Sequence, residues 1–201
     1  MTMSVAIYLF PKVEVLDFAG PYEVFTTASR MHLRRHPGAE LPFRVFTFAR
    51  SREPVRARAG LRAVPDYTLA DCPPIDVLLI PGGVVDDEVA DAAFVQWVRE
   101  RSRKATLTAS VCTGAFILAE AGLLDGRATT THWEDVADLR DRHPGLDVRE
   151  NVRWVDEGGV VTSAGIAAGI DMSLHLVARL ASPELARVTA RQMDVPYHPQ
   201  P

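Results

Sequence analysis

Short apolar runs at Val5–Leu9 and Ile75–Ile80, and a β-type run over Ala105–Ala109, alternate along this chain with segments of helical periodicity. A strand that is apolar on both faces cannot sit at a solvated surface, so each of these runs needs cover above and below. Strands of this kind, separated by helices, imply an α/β fold with a mostly parallel sheet and helices on both faces, a three-layer sandwich. A length of 201 residues with 47% hydrophobic and 24% charged content suits one domain, 1–201, with a sizeable core.

The intervening segments fill in that frame. Gly20-Pro21 is expected to start a helix, with Val24, Phe25, Ala28 and Met31 as its buried stripe. Phe43–Phe48 alternates as a strand, and Pro54–Pro65, with Ala59-Gly60 near its middle, reads as a hairpin beside the main sheet. Val89–Arg103 is helical, Ala128–Thr131 a short strand and Glu134–Arg142 a short helix. The turn Asp156-Glu157-Gly158-Gly159 joins strands at Val152–Val155 and Val160–Thr162, and helices over Ile170–Leu180 and Pro183–Met193 follow. No internal repeat, low-complexity segment or convincing linker interrupts the pattern.

Several function classes are set aside by composition. No apolar run is long enough to span a membrane, and the start lacks a basic segment followed by an apolar one, so a cytoplasmic location is expected. Two cysteines make no disulfide framework, and neither lies in a spacing that would hold zinc. A net charge of −4 argues against nucleic-acid binding. Lys12 and Lys104 are the only lysines; the arginine-dense stretches Arg30–His36 and Arg50–Arg62 read as solvated faces rather than basic patches.

The sharpest chemical signal is Thr106–Phe116, where a β-type run ends at Cys112 and small residues lead into a helical pattern from Ala115. A tight strand-to-helix turn lifts its side chain clear of the sheet, as the serine does at a nucleophile elbow. A helix mouth also offers unpaired N–H groups that favour thiolate. A free cysteine is usually inert packing, and Cys72, in a loop ahead of a strand, is read that way. Position makes Cys112 the candidate nucleophile. Sites in such folds form beyond the carboxyl ends of the strands. Three pieces should meet there: the loop after the first strand, carrying Glu14 and Asp17; Pro81-Gly82-Gly83; and Cys112.

Five strings carry a resemblance: Leu16-Asp17-Phe18-Ala19-Gly20-Pro21, Ile80-Pro81-Gly82-Gly83, Val111-Cys112-Thr113-Gly114, Ala128-Thr129-Thr130-Thr131-His132-Trp133 and Ser163-Ala164-Gly165-Ile166-Ala167-Ala168-Gly169-Ile170-Asp171. In this order, from Val5 to about Pro196, the chain resembles the ThiJ/PfpI superfamily, whose fold is that of the class I glutamine amidotransferases, which implies a flavodoxin-like three-layer sandwich with a nucleophile elbow at Cys112. Within it, the strings are most similar to isocyanide hydratase and to the N-terminal ligand domains of AraC-type transcriptional regulators.

The resemblance implies roles. Backbone N–H groups of Gly83 and Thr113 would stabilise an anion, with Gly82 allowing close approach. Asp17, among Val15, Leu16, Phe18 and Ala19, would be the acid/base, and Thr113 would hydrogen-bond it. Glu14 reads as an exposed loop charge and Glu23 as a weaker rival for the carboxylate role. Peptidase and amidotransferase relatives place histidine where this chain has Thr113, so peptidase activity is discounted. His132 reads as a structural hydrogen-bonder rather than a base, Asp171 as a local polar anchor, and Ile166, His132 and Trp133 as pocket residues.

Two functions compete. One is an isocyanide hydratase-like lyase, in which Cys112 forms a thioimidate on a small-molecule substrate and Asp17 moves protons, with no metal or organic cofactor. The other is a non-catalytic ligand-sensing module. Regulators of that type carry a further helix-turn-helix segment, and with Pro201 the last residue, direct DNA reading by this chain is not expected. Oxidation of Cys112 as a redox signal is a third idea. The resemblance further implies a homodimer.

Overall fold

The computed structural model describes residues 2–200. A seven-stranded sheet forms the centre, in the order β10 (Trp154–Asp156), β11 (Val160–Ser163), β7 (Leu107–Val111), β6 (Val77–Ile80), β1 (Met3–Tyr8), β2 (Phe43–Ala49) and β5 (Tyr67–Thr68). Every neighbouring pair is parallel except β10 with β11. The apolar runs are buried on both faces as their composition demands: Val5–Tyr8 and Val77–Ile80 expose no surface.

One face is covered by α1 (Val15–Arg35), α6 (Ala168–Leu180) and α7 (Pro183–Met193), which pack on one another. The other face carries α2 (Asp86–Ala90), α3 (Ala92–Ser102) and α4 (Gly114–Glu120). Strands β3 (Val55–Arg56) and β4 (Arg62–Ala63) form the expected hairpin beside the sheet. Strand β8 (Ala128–Thr129) pairs with β9 (Asp147–Val148) in a separate two-stranded ribbon that holds α5 (Val136–Arg142). Among the described residues, no helix is long and apolar enough to cross a membrane.

Several boundaries differ from the sequence reading. Helix α1 begins at Val15 rather than at Gly20-Pro21, because Glu14 takes an extended backbone and its carboxylate accepts the Val15 N–H. Pro21 thus lies inside the helix, where it cannot donate to the carbonyl of Asp17. The helix expected over Val89–Arg103 is broken at Asp91, whose side chain accepts from the N–H groups of Ala93 and Phe94 and starts α3 afresh. Strand β7 runs two residues further than expected, up to Val111, which brings its end directly against Cys112. The order of β6, β1 and β2 is decisive for function. From β1 the chain passes to β2 on one side and later to β6 on the other, so the connections diverge at the carboxyl ends of β1 and β6.

Candidate functional site

Cys112 is the first of the two turn residues, Cys112 and Thr113, between β7 and α4, and has a left-handed φ of 57°. Such a backbone is costly for a residue with a Cβ. The surroundings leave it little choice. Its N–H is shared between the carbonyls of Ser163 and Ala164, at 3.1 and 3.3 Å, and its own carbonyl accepts the Thr131 hydroxyl at 2.9 Å. Gly114 follows because a Cβ there would stand 2.3 Å from the Ile80 carbonyl oxygen.

Asp17, in the first turn of α1, is completely buried. Its Oδ2 accepts the Gly82 N–H at 3.0 Å, while Oδ1 has no partner of ordinary hydrogen-bond geometry. Burial lifts its pKa to about 7; the Gly82 N–H opposes that rise, the Glu14 charge adds to it, and the Cys112 thiol, as a hydrogen-bond neighbour, opposes it. The expected thiolate is not supported. Burial, with the Asp17 charge second, pushes the Cys112 thiol up to about 12, although the Thr113 and Ile166 N–H groups pull the other way. Cys112 is only 7% exposed, and α4 is a seven-residue helix, too short a dipole to outweigh that desolvation.

Two expectations for the donors are corrected. The Thr113 hydroxyl does not reach Asp17; it accepts the Gly83 N–H and donates to the Gly83 carbonyl, both at 2.9 Å, clasping the β6 turn to the start of α4. The Gly83 N–H is therefore already engaged, and the Gly82 N–H is held by Asp17. The main-chain donors facing the sulfur are those of Thr113 and Ile166. Ile166 was expected only to line the pocket. It has a positive φ of 50°, and it is its amide, not its side chain, that acts on the Cys112 sulfur. The glycine turn nevertheless approaches as closely as expected, since a Cβ on Gly82 would stand 2.6 Å from the Thr113 nitrogen.

His132 buttresses this loop from behind. Its ring lies so close to Gly165 that a Cβ there would come within 1.9 Å of it. Its Nδ1 accepts the Glu134 N–H and lies 3.3 Å from Asp135, in keeping with a structural role. Trp133 is 75% exposed and borders a cavity of about 360 Å³ shared with Thr131 and Ala164. A second cavity of about 250 Å³ opens in front of Gly83 and Thr113 and is bounded by Asp135 and Phe116. Asp135, missed in the sequence, also adds negative potential at Cys112.

The remaining carboxylates lie outside this group. Glu14 is more than a loose loop charge: it caps α1 and pairs with Arg58 at 3.2 Å. Glu23 is engaged with the Thr27 hydroxyl at 2.8 Å on the exposed side of α1. Asp171 anchors Arg153, as expected of a local polar contact. Cys72 is buried away from any such turn. Among the described residues, no cluster of three or more His, Cys, Asp or Glu side chains is arranged to hold a metal ion.

Comparison with known proteins agrees with this architecture. Residues 3–179 match the DJ-1/PfpI family. The chain is 34% identical over 203 residues to an isonitrile hydratase of Pseudomonas putida, covering 100% of this chain and 81% of that protein. It is 33% identical over 184 residues to the HTH-type transcriptional regulator CdhR of Pseudomonas aeruginosa, covering 92% of this chain but only 52% of the regulator. The crystal structure of a ThiJ/PfpI family protein from Pseudomonas syringae matches with a TM-score of 0.82 at 30% identity, covering 100% of this chain and 77% of that one. The fold, the motif order and these relatives together establish that the chain belongs to the DJ-1/PfpI family.

Proposed function

We propose that Cys112 and Asp17 hydrate an isocyanide, R–N≡C, to the N-substituted formamide. The observation that carries this reading is a fully buried carboxyl with one oxygen on the Gly82 N–H and the other unpartnered, next to Cys112 at its strand-to-helix turn. A thiol held as S–H at neutral pH cannot attack as a free thiolate. Attack is instead coupled to proton transfer to Asp17, whose pKa of about 7 suits it to take and return a proton. The S–C bond forms at the terminal carbon as Asp17 delivers the thiol proton to that same carbon, giving the thioimidate R–N=CH–S. Water then adds to this carbon through Asp17, one of its protons passing to nitrogen. Collapse expels the sulfur, which regains a proton through Asp17, and R–NH–CHO leaves. The Thr113 and Ile166 amides favour negative charge on the sulfur at attack and departure. The isonitrile hydratase at 34% identity supports this assignment over other chemistry in the family.

The test is formamide production from a small aryl or alkyl isocyanide. Cys112→Ala is expected to lose turnover to background and Asp17→Asn to lose at least ~100-fold. Equal turnover in wild type and Cys112→Ala rejects the reading. The 33% identity to a transcriptional regulator over 92% of the chain favours a second reading, a ligand-sensing module built on the same scaffold. Thermal stabilisation by a metabolite without turnover, retained in Cys112→Ala, supports that alternative.

A further inference from the structure

The amino-terminal half of β2 lies at the end of the sheet away from Cys112 and has an unfinished edge. Met3 N–H donates to the Pro42 carbonyl and Leu9 N–H to the Phe48 carbonyl, which fixes the register in which Arg44, Phe46 and Phe48 turn their main-chain groups towards β1. Phe43, Val45 and Thr47 therefore turn theirs to the outer edge. Two of these are closed. The Ser29 hydroxyl accepts the Phe43 N–H at 3.2 Å and donates to its carbonyl at 2.8 Å. Asp66 accepts the Thr47 N–H through its carboxylate at 2.8 Å and returns its own N–H to the Thr47 carbonyl at 3.1 Å. Strand β5 pairs only with Phe48 and Ala49. Val45 stands between these closures with its outward N–H and C=O unmatched among the described residues.

Beside that gap lies a groove of about 600 Å³ between α1 and β2. Leu33, Leu41 and Val45 give it an apolar floor, Arg30, Arg34 and Arg44 form its rim, and no acidic residue lines it. Three arginines around an apolar trough reverse the sign of a chain whose net charge is −4. Arg30 is 3.6 Å from Glu23 and Arg34 is 3.5 Å from Gln192, but Arg44 has no ion-pair partner among the described residues.

We propose that this groove docks an extended acidic peptide segment, one apolar residue of which pairs with Val45. A residue laid antiparallel opposite Val45 exchanges both main-chain hydrogen bonds with it. Its side chain then falls on the α1 side of the sheet, towards Leu33 and Leu41, and carboxylates one and two positions away meet the arginines. The charge pattern disfavours a second copy of this chain as occupant, because two-fold antiparallel pairing about Val45 would bring Arg44 diagonally across from its own counterpart on the same face, like charge beside like charge.

The test uses the whole chain and a labelled, end-capped pentapeptide, Glu-Glu-Leu-Glu-Glu, in fluorescence anisotropy at low salt. Saturable binding is expected, at least tenfold weaker for Lys-Lys-Leu-Lys-Lys and for Arg44→Glu. The decisive control alters the peptide alone: methylating the leucine nitrogen removes its main-chain donor, and binding is expected to weaken at least tenfold. Equal binding of the methylated peptide overturns the pairing with Val45. Absence of binding at millimolar peptide also overturns the proposal. So does a self-association that Arg44→Glu abolishes and the peptide does not compete with, which assigns the groove to a second copy.

Discussion

At the scale of single residues, the site depends on one desolvated proton. Raising the Asp17 pKa from 3.8 to about 7 means that its ionised form is disfavoured in the folded chain by roughly 4 kcal/mol. The native carboxyl binds its proton more tightly than the unfolded one does. Stability contributed by the protonated acid is therefore lost as pH rises from about 4 to about 7. Asp17→Asn keeps an acceptor for the Gly82 N–H without the charge. Its stability advantage over wild type is expected to grow across that window and level off above it, reaching a few kcal/mol (~2–4) in urea denaturation at pH 8. An advantage independent of pH would mean that Asp17 titrates normally. The same proton governs rate. If ionised Asp17 takes the thiol proton, kcat/KM for an isocyanide falls below about pH 7, and an acid limb near pH 4 would contradict the coupling. Asp17 itself was legible from its apolar neighbours, since a carboxyl among Val15, Leu16 and Phe18 has few ways to remain charged. Its proton balance with Cys112 was not, because a helix mouth and a buried neighbour act on the thiol in opposite directions and only their geometry decides which wins.

At the scale of elements, the turn after β7 is held by close backbone approaches rather than by side-chain packing. Gly114 lies against the Ile80 carbonyl, where a Cβ would come within 2.3 Å of backbone that cannot yield cheaply. Gly114→Ala is expected to destabilise the chain by about 2–4 kcal/mol and to depress activity through a displaced Cys112. Gly159→Ala, with nothing within 4 Å of its added methyl, is expected to change stability by less than ~1 kcal/mol. Similar losses in both variants, measured by chemical denaturation, would remove the case for a tightly apposed turn. The small residues after Cys112 announced this crowding in the sequence. The start of α1 was misread because proline at a first turn is the commoner pattern. Here the Glu14 cap begins the helix one and a half turns earlier, and that shift makes Asp17 a helical residue aimed under the Gly82 turn.

At the scale of the whole molecule, the family fold brings a helix start, a glycine turn and a strand end to one point from residues 17, 82 and 112. A homodimer is the assembly we propose for this chain; exposed Leu16 and Tyr22 on α1 are apolar surface that an assembly could cover. Light scattering at micromolar concentration is expected to give twice the chain mass, and a monomer throughout would reject it. The sequence alone determined the alternation of apolar runs and helices, hence a covered parallel sheet, and singled out Cys112 by its place at the end of one run. Those features follow from local periodicity and from the need to hide strands that are apolar on both faces. Tertiary structure alone decided that the Thr113 hydroxyl clasps Gly83 rather than Asp17, that the Ile166 amide faces the sulfur, and that Val45 is left unpaired at the edge. Each of these is a hydrogen-bond choice among groups far apart in the chain. A buried donor or acceptor takes whichever partner the packing brings within reach, and no local pattern encodes which one that is.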